Sequence, residues 1–116
     1  MESLMMALYR GDIVLVDFNP AKGGEIGKYR PAIIISSNDD NEILDTIIVI
    51  PLSSVVEANA IPYRYPITQR DKLNKNSDAC IYEIRALSKT RVKEKLSTVS
   101  VNELREVQRC LCEIVG

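Results

Sequence analysis

Arg30 stands directly before Pro31 at the end of a glycine-rich stretch, AKGGEIGKYRP (residues 21–31), that also carries Glu25, Lys28 and Tyr29. Proline locks its own φ and restricts the residue before it, so the Arg30 side chain starts from a rigid root. A guanidinium is always charged and presents a planar fork of donors that matches phosphate oxygens. The chemistry this offers is recognition of a phosphodiester and stabilisation of its charge. The other familiar phosphate cradle, the P-loop GxxxxGK[ST], does not fit. Gly23 and Gly27 are one residue too close, Tyr29 replaces the hydroxyl residue after Lys28, and Pro31 blocks the helix that would follow. A plain hairpin loop, its glycines serving only positive φ, is the competing reading. The length of the loop, about a dozen residues, speaks for function.

Several chemistries are excluded by what is missing. The 116-residue chain contains no histidine, so Ser-His and Cys-His catalysis are ruled out and the usual general base at neutral pH is absent. Three cysteines, Cys80, Cys110 and Cys112, form an odd set without a CxxC pair, which argues against disulfides and a structural zinc. No metal site and no cofactor are expected. A formal net charge of −1 makes non-specific attraction to nucleic acid weak, so any polyanion site must be local. The basic run Lys89, Arg91, Lys93, Lys95 reads as a solvated turn or short helix rather than a groove.

The elements that must position Arg30 follow from periodicity. Residues 12–18 (DIVLVDF), 31–37 (PAIIISS) and 46–54 (TIIVIPLSS) are apolar on both faces and predict central strands, with the polar cluster NDDNE between the last two as a turn. Pro51 cannot donate to a ladder, so the third strand is expected to bulge or become an edge there, leaving Ser53 and Ser54 at its rim. Two prolines demote residues 62–68 (PYRYPIT) to an edge strand, with Tyr63 and Tyr65 as packing residues. Residues 79–87 (ACIYEIRAL) read as one strand carrying Glu83 and Arg85, and LSTVS as a brief last strand. Ser100 and Glu103 form a capping box ahead of Val101, Leu104, Val107, Leu111 and Ile114, predicting a C-terminal helix over 100–115. Many short strands, few crossovers and one terminal helix point to a mainly β, α+β fold: a small, strongly bent antiparallel barrel. The chain reads as one domain, 1–116, with residues 1–9 as an N-terminal extension in which Met6 is an alternative start. No apolar run is long enough to span a bilayer, and the expected location is cytoplasmic.

RGDIVLVDFNPAKGGEIGKYRPAIIIS resembles the opening of the MazF/PemK family of toxin endoribonucleases, whose first strands read close to RGD-hydrophobic-D-x-x-P-x-x-G-x-E-x-x-x-RP. TIIVIPLSS, ACIYEIRALSKTRV and LSTVSVNELREVQRCL are similar to that family's third strand, later strand with basic turn, and last strand with C-terminal helix. The resemblance implies an SH3-like barrel, a homodimer and sequence-specific, metal-independent cleavage of single-stranded RNA such as mRNA. It also implies neutralisation by an antitoxin with an acidic, disordered C-terminal segment.

Carried over position by position, the family's catalytic arginine falls on Arg30, its catalytic threonine on Ser53 and its loop glutamate on Glu25. Serine keeps the hydroxyl but loses the restraint of the methyl group on χ1. The later strand departs from the family order: Tyr82, Glu83, Ile84 and Arg85 stand where an acid, a glutamine and a basic residue are usual. Lys28, Tyr29, Ser54, Glu83 and Arg85 are the candidate RNA-binding residues. RNA supplies its own nucleophile, the 2′-OH, so the protein must align it, stabilise charge and move protons, none of which requires histidine. An arginine holds its proton far above neutral pH and is a poor base, so charge stabilisation is the first role for Arg30, with proton shuttling the open second. Glu25 has two open roles, general base or orienter of Arg30. The products implied are a 2′,3′-cyclic phosphate and a 5′-OH. The alternative is a CcdB-like barrel toxin that poisons a protein target such as DNA gyrase without nuclease chemistry.

Overall fold

Runs that are apolar on both faces must be covered on both faces, and the three such runs become neighbouring strands. The computed structural model describes residues 6–18 and 29–116. Its strands are β1 (Asp12–Asp17), β2 (Tyr29–Ile34), β3 (Thr46–Ser53), β4 (Arg64–Ile67), β5 (Ser77–Cys80), β6 (Arg85–Ser88) and β7 (Val92–Thr98), and its helices are α1 (Asn38–Ile43) and α2 (Val101–Val115). The strand order is β4-β5-β3-β2-β1-β7, with β6 also paired to β3. Each pairing between these strands is antiparallel. β6 runs through a single 3-10 turn, Lys89–Arg91, straight into β7, while β6 pairs β3 and β7 pairs β1. The strongly bent sheet is thus completed by the chain itself rather than by a closing ladder.

Alternation along the strands splits the core in two. Ile13, Ile33, Ile50 and Leu52 face outward and pack with Val107 and Cys110 of α2. Val14, Val16, Ala32, Ile34, Val49 and Leu87 face inward and fill the barrel. The two-sided strands at 12–18, 31–37 and 46–54, the edge position of β4 and the capped C-terminal helix agree with the sequence reading. Among the described residues, no helix is long and apolar enough to cross a membrane.

Four local readings are corrected. NDDNE is not a turn but opens α1, because the Ser37 side chain accepts from the Asp40 N–H and Asp39 and Asp40 occupy the first turn, where the helix dipole favours acid. Residues 79–87 are not one strand. β5 pairs β3 at Leu52 and Ser53 whereas β6 pairs it at Thr46 to Val49, so the chain must break between them, in a 3-10 turn at Ile81–Glu83. β3 does not become an edge at Pro51, which stays paired with Ala32; on the other side it occupies the gap where the partner of β3 changes from β6 to β5. The last strand begins at Val92 rather than Leu96, because Val92 packs on the inner core and draws Lys93 and Lys95 into the strand, while Lys89 and Arg91 stay in the 3-10 turn before it.

Helix α2 is fixed at its start by a reciprocal capping box: the Ser100 side chain accepts from the Glu103 N–H at 3.0 Å and Glu103 accepts from the Ser100 N–H at 2.8 Å. Arg70 forks onto the same carboxylate at 2.6 and 2.8 Å. Its hydrogen bond, outweighing burial and aided by those of Ser100, lowers the Glu103 pKa to about 2. A depressed carboxylate pKa contributes stability that is full above the unfolded value, about 4.3, and is lost as pH falls through about 2. Glu103→Gln, which can still cap but cannot pair with Arg70, is expected to cost about 2 kcal/mol in urea unfolding at pH 7. Its deficit should shrink toward zero as the pH is taken down to about 2; a deficit independent of pH would contradict the assignment.

Candidate active site

Arg30 lies in β2 opposite Val16, and Pro31 pairs with Leu15. The β2–β3 register sets Ala32 against Pro51, and continuing it by two positions brings Arg30 across from Ser53, the last residue of β3. Residues opposite each other share a face, so both side chains belong to the inward series of Ala32, Ile34 and Val49 and extend it past its apolar end. Arg85 pairs with Val49 and joins the same face from β6. Its guanidinium stacks over the Phe18 ring, 4.9 Å from the centroid. Arg30 and Ser53 therefore stand at one rim of the barrel, past the apolar end of that face, with Arg85 on the same face from the neighbouring strand.

Glu83 reaches the same rim because the strand breaks. From the 3-10 turn its Oε1 lies 3.9 Å from Arg30 Nη1, with 37% of the Arg30 side chain and 49% of the Glu83 side chain exposed. A pair this long and this wet is weak, so it orients Arg30 without neutralising it toward an incoming anion. Tyr29 is exposed but pairs with Asp17, placing it on the opposite face of β2 from Arg30. Ser54 lies just beyond the end of β3 and is exposed. Glu25 and Lys28 lie outside the described residues.

Two residues of this region escaped the sequence reading. Asp78 pairs with Ser53 across the β3–β5 ladder, and its buried carboxylate accepts from the Glu57 N–H at 2.8 Å and from Arg64 Nη1 at 3.1 Å. The available signal was an aspartate directly before the apolar Ala79, Cys80 and Ile81, but the preceding polar connector masked it. Tyr63, expected as edge packing, is instead exposed and meets the exposed Tyr82 edge-on, ring centroids 6.2 Å apart. Tyr65 does pack against the outer core. Burial pushes the Cys80 and Cys110 thiols up, away from nucleophilic use. Among the described residues no three His, Cys, Asp or Glu side chains cluster as metal ligands.

The family model described as PemK-like, MazF-like toxin of type II toxin-antitoxin system matches residues 9–115. The chain belongs to this family. A relative from Staphylococcus saprophyticus, named Endoribonuclease MazF, is 35% identical over 103 residues, 88% of this chain and 86% of that one. The fold is similar to that of MazF in a MazE–MazF crystal structure from Deinococcus radiodurans, with a TM-score of 0.79 at 22% identity over 96% of this chain and 97% of that one. It is also similar to an endoribonuclease from a Mycobacterial species, with a TM-score of 0.75 at 19% identity over 98% and 96% of the two chains. The likeness covers more than nine-tenths of this chain and so takes in its bent sheet and C-terminal helix.

Proposed function

We propose that this PemK/MazF-family toxin is an endoribonuclease that cuts single-stranded RNA at a short sequence, without a divalent metal, as a homodimer. The observation that carries the reading is the half-exposed, weakly paired Arg30, two positions past the Ala32–Pro51 pair on the face that Ser53 shares. The name of the Staphylococcus saprophyticus relative supports the same activity.

The 2′-oxygen attacks the adjacent phosphorus, the P–O5′ bond breaks, and the products are a 2′,3′-cyclic phosphate and a 5′-OH. The proton of the 2′-OH leaves to a base, and a proton is delivered to O5′. Arg30 donates to the non-bridging oxygens, whose negative charge grows in the transition state, and is held ready for them by Glu83. Ser53 hydrogen-bonds the phosphate or the 2′-OH, and Arg85 holds the chain at the rim as a positioning cation. Lys28, Tyr29 and Ser54 contribute further contacts to the strand. Glu25 serves as the base or as a second orienter of Arg30. The cationic rim is also where an antitoxin with an acidic, disordered C-terminal segment would compete with RNA, folding as it binds.

Incubation of the purified protein with a long single-stranded RNA in EDTA, followed by end-group analysis, tests the scheme. Discrete cuts bearing 5′-OH and cyclic phosphate ends are expected. Activity that disappears in EDTA and returns with a divalent ion would sink the metal-free scheme. Intact RNA from folded protein under all conditions would transfer the case to a barrel toxin acting on a protein target.

A further inference from the structure

We infer that the Arg64–Asp78 ion pair is a positioning device for the Ser53 hydroxyl, clamping the segment that leaves β3 so that the hydroxyl proton is free for the substrate. The inference rests on the reading that Ser53 contacts the scissile phosphate. Past Ser53 the chain leaves the sheet, and the exposed Val55 and Val56 side chains give it no apolar anchor. Its backbone is held instead by side chains. The Val55 N–H donates to Ser53 Oγ at 3.1 Å, Arg64 Nη1 donates to the Val55 carbonyl at 2.8 Å, and the Glu57 N–H donates to Asp78 Oδ2 at 2.8 Å. One guanidinium nitrogen thus bridges the Val55 carbonyl and the Asp78 carboxylate, and the carboxylate belongs to the residue paired with Ser53.

The arrangement decides where the hydroxyl points. A serine hydroxyl has one proton and two acceptor lone pairs. The Val55 N–H engages an acceptor site of Ser53 Oγ. Among the described residues its proton reaches the Val55 carbonyl, in a long bond of 3.5 Å to an oxygen that already takes the shorter bond from Arg64. The proton is therefore left for a phosphoryl oxygen at the rim. Burial works against the charge on Arg64, but the hydrogen bond to Asp78 and the neighbouring negative charges outweigh it and keep the pKa above its ordinary value. Arg64 therefore stays charged across the working range of pH.

Arg64→Lys tests it, because an ammonium on a stem one bond shorter keeps the charge beside Asp78 but cannot carry a donor out to the position from which Nη1 bridges Val55 and Asp78. The expected result is a kcat lowered about tenfold with KM within about twofold, since a misaimed donor weakens the transition state more than binding. Amide exchange at Val55 and Glu57 should accelerate about tenfold in the variant, while core amides of β1 and β2 keep their protection. In a Ser53→Ala background the same substitution should cost nothing further in single-turnover cleavage, as expected for residues acting as one unit. Equal losses in both backgrounds, or unchanged kcat and unchanged exchange at Val55 and Glu57, would overturn the clamp. Where Ser53→Ala is inert, the exchange measurement decides. RNA left intact by the wild-type protein would instead refute the activity, a different failure from wild-type cleavage that Arg64→Lys leaves untouched.

Discussion

Arg30→Ala is expected to lower kcat/KM on single-stranded RNA by about a hundred- to a thousandfold, the usual consequence of removing a preorganised donor aimed at developing charge. The fold should not suffer, because the side chain is 37% exposed and, among the described residues, gives up a 3.9 Å ion pair to Glu83. Pairs of that kind are worth about 0–1 kcal/mol, so urea midpoints of the two proteins should nearly coincide. Arg30→Lys is expected to recover only part of the loss, since a point charge cannot span two non-bridging oxygens as a guanidinium does. Initial rates on an oligonucleotide containing a mapped cut site supply the measurement. An Arg30→Ala protein cleaving within about tenfold of wild type would remove Arg30 from the chemistry, because losses that small are typical of positioning contacts.

Replacing the attacking 2′-OH by hydrogen at the cut nucleotide alone should abolish cleavage at that site, a fall of more than about ten-thousandfold. An internal nucleophile next to phosphorus has an effective molarity of about 10⁵ M or more, which an external water held by this rim cannot match. Binding should change little, because the phosphates and the bases are intact. The uncut oligonucleotide should therefore inhibit cleavage of its all-ribose counterpart with a Ki close to the substrate's KM. Products from the deoxy substrate would mean that water attacks the phosphorus, and the assignment of Arg30 and Ser53 to a 2′-OH transfer would fail with that result. DNA of the same sequence serves as the parallel control and should survive.

Both expectations depend on residues that sequence inspection singles out, while the geometry that unites them comes from the fold. Arg30 is conspicuous because a proline follows it, and Ser53 because it ends a β-branched run. β1, β2, β3 and α2 were legible for the same kind of reason: apolar period, β-branching and a capping box are signals carried within a few residues of one another. The MazF-like loop motif added the chemistry, and the family match over residues 9–115 agrees with it.

The rest is long-range. Glu83 meets Arg30 because the chain breaks at Ile81–Glu83, and it breaks there because β5 and β6 pair with different ends of β3. Nothing inside ACIYEIRAL announces that competition between partners. Asp78 and Arg64 read as a connector residue and an edge residue until the ladder sets Asp78 against Ser53 and buries its carboxylate. Sequence alone pointed to Arg30 and Ser53 as side chains suited to a phosphodiester and to β2 and β3 as the strands that hold them. Only the tertiary structure decided which of them face one another, because register and strand partner are selected by burial of side chains distant along the chain, and local propensity carries no record of that choice.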